Sequence, residues 1–155
     1  MKKALICLDV QDDFLGKRLD YIKTLCQKYL NEHGQEYDVV VLTHWVYDDI
    51  KGQNTLLLSH PGAKIVAKET YSGLTGEVQD IFTQNGIEEV HIAGVHAELS
   101  VIATMYSCLD TGYETKILEP LTAAYHGLGW DAMRIARVAI GHENVLQIGG
   151  GRVYT

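Results

Sequence analysis

The sequence contains no long apolar run and no excess of positive charge. Although 46% of the 155 residues are hydrophobic, none of the apolar stretches approaches the roughly 18 residues that cross a bilayer. Acidic residues outnumber basic residues by 20 to 13, which gives a formal net charge of −7. This charge argues against a nucleic-acid backbone or an anionic membrane surface as the main partner. We therefore expect a protein that binds neither nucleic acid nor membrane.

Cysteine is also scarce. The three cysteines, Cys7, Cys26 and Cys108, lie far apart and inside apolar patterns. An odd number without metal-type spacing is typical of reduced, buried thiols in a reducing compartment. The first apolar segment could be mistaken for a signal peptide, but Asp9 ends it early and no small-residue cleavage site follows. The sequence thus indicates a cytoplasmic protein that begins with a strand.

The glycine-rich motifs of nucleotide-binding proteins are missing. The sequence has 15 glycines, yet no G-x-G-x-x-G follows the first apolar run and no G-x-x-x-x-G-K-[ST] occurs. Internal repeats and low-complexity segments are also missing. We therefore expect one domain over residues 1–155 that uses no cofactor.

What the sequence does contain is an alternation of apolar runs with segments of helical period. The runs are nearly continuous, as in strands covered on both faces. The predicted strands are Ala4–Leu8, Val39–Thr43, Ile65–Ala67, Val90–Val95, Thr115–Leu118 and Val145–Ile148. Helical spacing is present at 19–30, 78–82, 101–109 and 133–140. This alternation predicts a single three-layer α/β domain with a mainly parallel, Rossmann-like sheet.

Three polar segments directly follow predicted strands. Asp9 follows the first strand, Lys68 the third, and the loop 94–101 the fourth. In an open parallel sheet, ligands bind where the carboxyl ends of neighbouring strands diverge. A carboxylate, an ammonium group and a nucleophile at this edge suit acyl transfer, since the carboxylate can take the proton of the nucleophile. Taken alone, Asp9 is equally consistent with a turn or cap and Lys68 with a solvated strand end, but their joint occurrence favours a site.

These segments resemble the Asp, Lys and Cys motifs of the isochorismatase-like cysteine hydrolases, a family that includes nicotinamidases and N-carbamoyl-amide hydrolases. D-V-Q-D-D-F at 9–14 is similar to D-x-Q-x-D-F, K-E-T-Y-S-G-L at 68–74 to K-x-x-Y-S-x-F, and G-V-H-A-E-L-S-V at 94–101 to G-x-x-T-D-x-C-V. The resemblance covers residues 3–148 and implies that Asp9 and Lys68 are catalytic. Ser100 stands where the family has its nucleophilic cysteine. The resemblance also implies a six-stranded sheet of order 3-2-1-4-5-6, a small-molecule substrate, and dimers or tetramers.

The resemblance further implies how a tetrahedral oxyanion would be held. In relatives a non-proline cis peptide precedes the T-D dipeptide, and here that bond would join Val95 and His96. The oxyanion donors would be the amides of His96 and Ser100. The His96 ring has two interpretations, since it either points into the pocket or is only the side chain of a residue used for its backbone. The expected pocket residues are aromatic: Phe14, Trp45 and Tyr71.

A metal site has little support. The metal-binding branch of the family uses a T-x-D-x-H arrangement after the second strand, and in that register this chain has Trp45 and Tyr47 where ligands would stand. Other potential ligands of this region are His44, Asp48, Asp49 and His60. Their spacing is more typical of polar loop residues than of a metal centre. We therefore expect no metal, and we expect Trp45 and Tyr47 to form an apolar wall.

A serine at position 100 leaves three accounts of the chemistry open, because a hydroxyl is much less acidic than a thiol and normally needs a well-placed base. Ser100 is an engineered replacement of a cysteine, or a natural nucleophile assisted by Asp9 and Lys68, or a residue in a reaction without a covalent step. The sequence predicts a hydrolase acting on an amide or related C–N bond of a small molecule. The alternatives are vinyl-ether hydrolysis with Asp9 as the acid, as in isochorismatases, and a catalytically silent binding protein on the same fold.

Overall fold

The structure is a computed structural model that describes residues 1–47 and 55–148. Six strands form one sheet in the order β3-β2-β1-β4-β5-β6, and every neighbouring pair is parallel. The strands are β1 (Lys3–Leu8), β2 (Val39–Trp45), β3 (Lys64–Lys68), β4 (Glu89–Val95), β5 (Glu114–Ala123) and β6 (Val145–Leu146). The helices are α1 (Asp12–Leu15), α2 (Asp20–His33), α3 (Gly76–Gln84), α4 (Ile102–Thr111) and α5 (Gly129–Ile140). The predicted α/β class and strand order are confirmed.

The last two strands differ most from their predicted bounds, and one short helix was not predicted. β5 extends to Ala123, well beyond the predicted end at Leu118, because its pairing with β4 shifts register and resumes at Gly94 and Thr122. β6 has only two residues. The four residues of α1 are too few to produce a helical period, so the sequence pattern did not predict this helix.

Helices cover both faces of the sheet. On one face, α2 contributes Ile22, Cys26 and Leu30 to a core that includes the alternate β1 residues Leu5 and Cys7. On the other face, α3, α4 and α5 pack against the remaining β1 residues in a second core. This burial on both faces explains why the strands appear in the sequence as nearly continuous apolar runs.

Close contact between β1 and β4 fixes the place where both strands leave the sheet. Leu8 pairs with Gly94, which has a φ of 109°, and a Cβ at position 94 would lie 2.2 Å from the Leu8 carbonyl oxygen. Only glycine fits both this backbone conformation and this approach. Asp9, the residue that follows β1, has a φ of 53°, which is uncommon outside glycine and is concentrated at functional sites. The two segments therefore diverge from adjacent points of the sheet edge.

The three cysteines lie in the core, as their apolar sequence surroundings predicted. Cys7, Cys26 and Cys108 are free and buried, which confirms the prediction of unpaired core thiols. Burial raises the pKa of the Cys108 thiol to about 12, so this residue is a poor nucleophile. Within residues 1–47 and 55–148, no helix combines the length and hydropathy that spanning a bilayer requires.

Candidate active site

Asp9, Lys68 and Ser100 meet at the carboxyl edge of the sheet. The Lys68 Nζ lies 2.8 Å from Asp9 Oδ2, and the Ser100 Oγ donates a hydrogen bond of 3.3 Å to the same carboxylate oxygen. Asp9 and Ser100 are buried, and the side chains of Asp9 and Lys68 are 0% exposed. The three residues that the sequence singled out are thus brought into one contiguous cluster.

Lys68 reaches Asp9 by crossing the end of β2. It is the last residue of β3, which is separated from β1 by β2, and its register partner is Trp45. Its ammonium group lies 4.2 Å from the centre of the Trp45 ring and donates hydrogen bonds to the carbonyl groups of Thr70 (2.6 Å) and Tyr71 (3.3 Å). Only 3% of Lys68 is exposed. The alternative interpretation of this residue as a solvated strand end is therefore wrong.

Thr43 holds the Asp9 carboxylate from β2, a role that sequence reasoning missed. Its hydroxyl donates to Asp9 Oδ1 at 2.7 Å and accepts the Asp9 backbone N–H at 3.1 Å. Oδ1 is therefore occupied by Thr43, and Oδ2 is left for Lys68 and Ser100. The only available signal was the position of Thr43 at the end of a predicted strand.

Burial shifts the pKa values of the ion pair toward each other. Desolvation raises the pKa of Asp9 above that of an ordinary carboxyl, while Lys68 and the hydrogen bonds from Thr43 and Ser100 oppose the rise. Desolvation lowers the pKa of Lys68, and Asp9 opposes that change. A carboxylate with a raised pKa is a stronger base than one in water, so Asp9 is suited to accept a proton from Ser100.

Ser100 lies in a π-helical turn, Ala97–Val101, between β4 and α4. The N–H groups of Leu99 and Val101 donate to the His96 carbonyl at 3.0 and 3.2 Å. The peptide bond between Val95 and His96 is cis, at the position that the resemblance indicated. Single-turn π segments often occur at functional sites.

Aromatic rings line the edge of this cluster. The Trp45 ring centre lies 5.2 Å from that of Tyr71 and 6.4 Å from that of Phe14, and Phe14 lies 5.8 Å from the ring of His96. The three predicted pocket residues, Phe14, Trp45 and Tyr71, therefore form one aromatic wall. The Trp45 ring of this wall covers the Lys68 ammonium group. The Tyr47 hydroxyl donates a hydrogen bond to Asp13 Oδ2 at 2.8 Å.

The ring of His96 extends this wall toward the end of β5. Its Nδ1 accepts the backbone N–H of Tyr125 at 3.3 Å, and its centre lies 6.2 Å from the Tyr125 ring and 6.0 Å from the His126 ring. Burial, with a smaller effect from His126, lowers the pKa of His96 to about 4, so the ring is neutral at pH 7. Of the two interpretations of His96, these contacts favour the one in which the ring belongs to the pocket.

Gln11 ties the first motif to β2. Its Oε1 accepts the Trp45 N–H at 2.9 Å and its Nε2 donates to the Trp45 carbonyl at 3.0 Å. The same Nε2 contacts both carboxylate oxygens of Asp13 at 3.1 Å. These bonds fix the main chain that carries the Trp45 ring over Lys68.

Of the residues considered as metal ligands, the two that the structure describes, His44 and His60, lie in different surroundings. His44 Nε2 pairs with Thr55 Oγ1 at 3.0 Å, whereas His60 packs against Gly34, before the start of β2. Asp48 and Asp49 lie outside the described residues. In the part of the chain that the structure describes, no group of three His, Cys, Asp or Glu side chains could hold a metal ion. Since Trp45 also occupies a ligand position of the metal-binding branch, the described residues do not fit a metal centre.

Solved structures of similar fold include hydrolases. An isochorismatase-like hydrolase from Alkaliphilus metalliredigens superimposes with a TM-score of 0.82 at 19% identity, covering 95% of each chain. The zinc complex of the pyrazinamidase of Pyrococcus horikoshii gives 0.79 at 23% identity, covering 96% of this chain and 100% of the other. A nicotinamidase from Bacillus subtilis gives 0.74 at 20% identity, covering 91% and 97%. The chain therefore has the isochorismatase-like α/β fold.

The sequence itself agrees with this class. Residues 3–144 match the Isochorismatase domain family, so the chain belongs to the isochorismatase family and is a hydrolase of that kind. No curated protein matches the sequence significantly.

Proposed function

We propose that this protein hydrolyses an amide or related C–N bond of a small molecule, with Asp9, Lys68 and Ser100 as the catalytic residues. The observation that carries the proposal is the buried cluster in which one carboxylate oxygen contacts both the Lys68 ammonium group and the Ser100 hydroxyl. The aromatic wall of Phe14, Trp45 and Tyr71 favours flat substrates. Pyrazinamide and nicotinamide, the substrates that give two of the structural neighbours their names, are the first amides to test.

In the proposed reaction, Asp9 acts first as a base. Its Oδ2 takes the Ser100 proton while Oγ forms a bond to the amide carbon, and the N–H groups of His96 and Ser100 hold the oxyanion. Asp9 then gives that proton to the leaving nitrogen as the C–N bond breaks, which leaves an ester at Ser100. Water attacks this ester with Asp9 again as base, and Ser100 recovers its proton. Lys68 keeps Asp9 oriented and ionised between these steps.

Ser100→Cys is the test of this proposal. A thiol reaches its anion far more readily than a hydroxyl, so we expect turnover to rise by about ten-fold or more. Ammonia release from a broad amide panel would be followed, together with intact mass for a thioester adduct. Ser59→Cys, which adds an exposed thiol elsewhere, serves as the control. If the Ser100→Cys protein neither turns over nor forms an adduct with any amide, the site is not an amidase site.

Vinyl-ether hydrolysis is the second candidate, and the raised pKa of Asp9 is the observation that favours it. A carboxyl that keeps its proton to higher pH can act as a general acid. Amide hydrolysis requires the Ser100 hydroxyl as the nucleophile, whereas vinyl-ether hydrolysis with Asp9 as the acid does not. Ser100→Ala would leave isochorismate cleavage intact in the acid mechanism, whereas it would abolish amide hydrolysis through the serine.

We propose that the chain acts as one domain in the cytoplasm and that it forms a dimer through α5. The three free thiols support a reducing compartment. One face of α5 carries Trp130 and Val138, which are 80% and 89% exposed, together with Ile135. Asp131 and Arg134 lie on the same face, one turn apart. In an antiparallel contact between two copies, each Asp131 would face the other Arg134, as a two-fold interface requires.

This arrangement makes self-association sensitive to a single charge. Val138→Asp would place an unpaired carboxylate in the contact, so we expect light scattering to give twice the chain mass for the unmodified protein and the chain mass for the variant. Ile65→Asp changes an exposed apolar residue on the edge strand β3 and should leave the dimer intact. A monomeric unmodified protein would exclude the α5 dimer.

A further inference from the structure

A groove of about 660 Å³ lies between two surface segments near His96. One side of the groove is the segment Gly16–Arg18, which follows α1, and the other is Tyr125–Gly127, which follows β5. No step of the proposed reaction uses these residues.

The groove starts where the aromatic wall ends. Phe14 lies two residues before one side of the groove and contacts the His96 ring, whose centre is 5.8 Å away. On the other side, Tyr125 donates its N–H to His96 Nδ1 and His126 lies 6.0 Å from the same ring. His96 therefore contacts one side of the groove directly and Phe14, which precedes the other side, and it also belongs to the loop that leads to Ser100. A molecule bound over this loop can extend into the groove past His96.

The groove is locally basic in a protein of net charge −7. Lys17 and Arg18 are exposed, and among residues 1–47 and 55–148 neither has a carboxylate within 4.0 Å. The Arg18 guanidinium group lies over the Tyr125 ring, 4.9 Å from its centre. The contact with the ring positions the guanidinium group. The N–H groups at the edge of the guanidinium can still donate two parallel hydrogen bonds to a carboxylate.

The carboxylate of Glu98 lies beside His126 of the groove but is buried. Glu98 Oε1 lies 4.0 Å from His126 Nδ1, but both carboxylate oxygens of Glu98 are buried without a hydrogen-bond partner. Burial raises the pKa of Glu98, and the nearby His126 opposes that rise. Asp20, which lies two residues after Arg18, pairs with Lys23 at 3.4 Å. The exposed charge of the groove is thus positive.

We propose that this groove binds a carboxylate group of the substrate, so that the protein acts on amides that carry a carboxylate at a distance from the scissile bond. The Arg18 guanidinium edge would bind the two carboxylate oxygens and Lys17 would add a second positive charge. This inference rests on the proposed function, because it places the amide at Ser100 and the carboxylate beyond His96.

Binding of two inert probes tests the groove separately from catalysis. The probes are 4-acetylbenzoate and its neutral analogue 1,4-diacetylbenzene, in which a ketone replaces the amide and cannot be hydrolysed. In calorimetry at low salt, we expect the carboxylate to bind about ten-fold more tightly than the neutral probe, and we expect 0.5 M NaCl to weaken that preference.

Variants locate the effect. In Lys17→Gln/Arg18→Gln the preference for the carboxylate should vanish while affinity for the neutral probe stays unchanged. The control Lys28→Gln/Lys64→Gln removes the same charge from α2 and from the start of β3, and should keep the preference. Equal affinity for both probes in the unmodified protein, failure of either probe to bind, or an equal loss in the control would overturn the inference. A carboxylate preference without hydrolysis of any amide would instead refute the proposed function alone.

Discussion

Replacing Lys68 with methionine is expected to lower the free energy of unfolding by about 3–5 kcal/mol, since removing one partner of a buried ion pair leaves an uncompensated charge. The Asp9 carboxylate would keep its hydrogen bonds from Thr43 and Ser100 but lose the ammonium group 2.8 Å away. Lys68 is the main influence that lowers the pKa of Asp9 against desolvation, so without it that pKa rises further.

The loss of unfolding free energy in Lys68→Met should increase with pH. A group whose pKa is higher in the folded than in the unfolded state contributes stability at low pH, and that stability is lost as the pH rises through the folded-state value. The deficit of Lys68→Met relative to the unmodified protein should therefore be larger at pH 8 than at pH 5, as measured by urea unfolding.

Two further variants show that the effect belongs to the pair. Adding Asp9→Asn to Lys68→Met removes the unpaired charge and should restore most of the lost stability. Lys23→Met breaks only the exposed contact with Asp20, and its effect should stay below about 0.5 kcal/mol. A deficit for Lys68→Met below about 1 kcal/mol that is equal at both pH values would mean that Asp9 and Lys68 are not a buried ion pair in solution.

Asp9→Asn should lower amide hydrolysis by about 10²–10⁴-fold, the range expected for loss of a general base. Asparagine has the shape of aspartate and can still accept the Thr43 hydrogen bond, but it cannot take a proton from Ser100. Burial already lowers the pKa of Lys68, so in the variant the lysine can lose its charge rather than remain unpaired. The prediction therefore concerns kcat more than the fold, which circular dichroism would verify.

Steady-state rates would be compared in both the Ser100 and the Ser100→Cys proteins. Asp110→Asn makes the same chemical change on the exposed surface of α4 and should leave kcat unchanged. An Asp9→Asn protein that keeps more than a tenth of the activity would assign proton transfer to another group.

Much of this architecture could be predicted because each feature has a local sequence signal. Continuous apolar runs marked the strands, and Asp9, Lys68 and the loop to Ser100 follow strands whose carboxyl ends share one edge of a parallel sheet. The order of the strands was available only from the family resemblance. The short helix α1 and the extension of β5 beyond Leu118 depend on contacts between segments far apart in sequence, so no periodicity indicated them.

The surroundings of the site were less predictable than its three polar residues. That Lys68 is buried depends on the Trp45 ring above it, and that Asp9 presents Oδ2 to Ser100 depends on Thr43 holding Oδ1. Both contacts join different strands. Tyr125 and His126 gave no signal because their position beside His96 depends on the path of the chain after β5.

The contact between Gly94 and the Leu8 backbone has a consequence for how such an enzyme can diversify. It anchors Asp9 and the loop to residue 100 through main-chain atoms, so their spacing is independent of which side chain residue 100 carries. The nucleophilic atom of residue 100 can therefore change without moving Asp9 or the loop. A single substitution can exchange serine and cysteine at position 100 while the surrounding backbone keeps its position. The reactivity of the site can therefore change without a change in the fold.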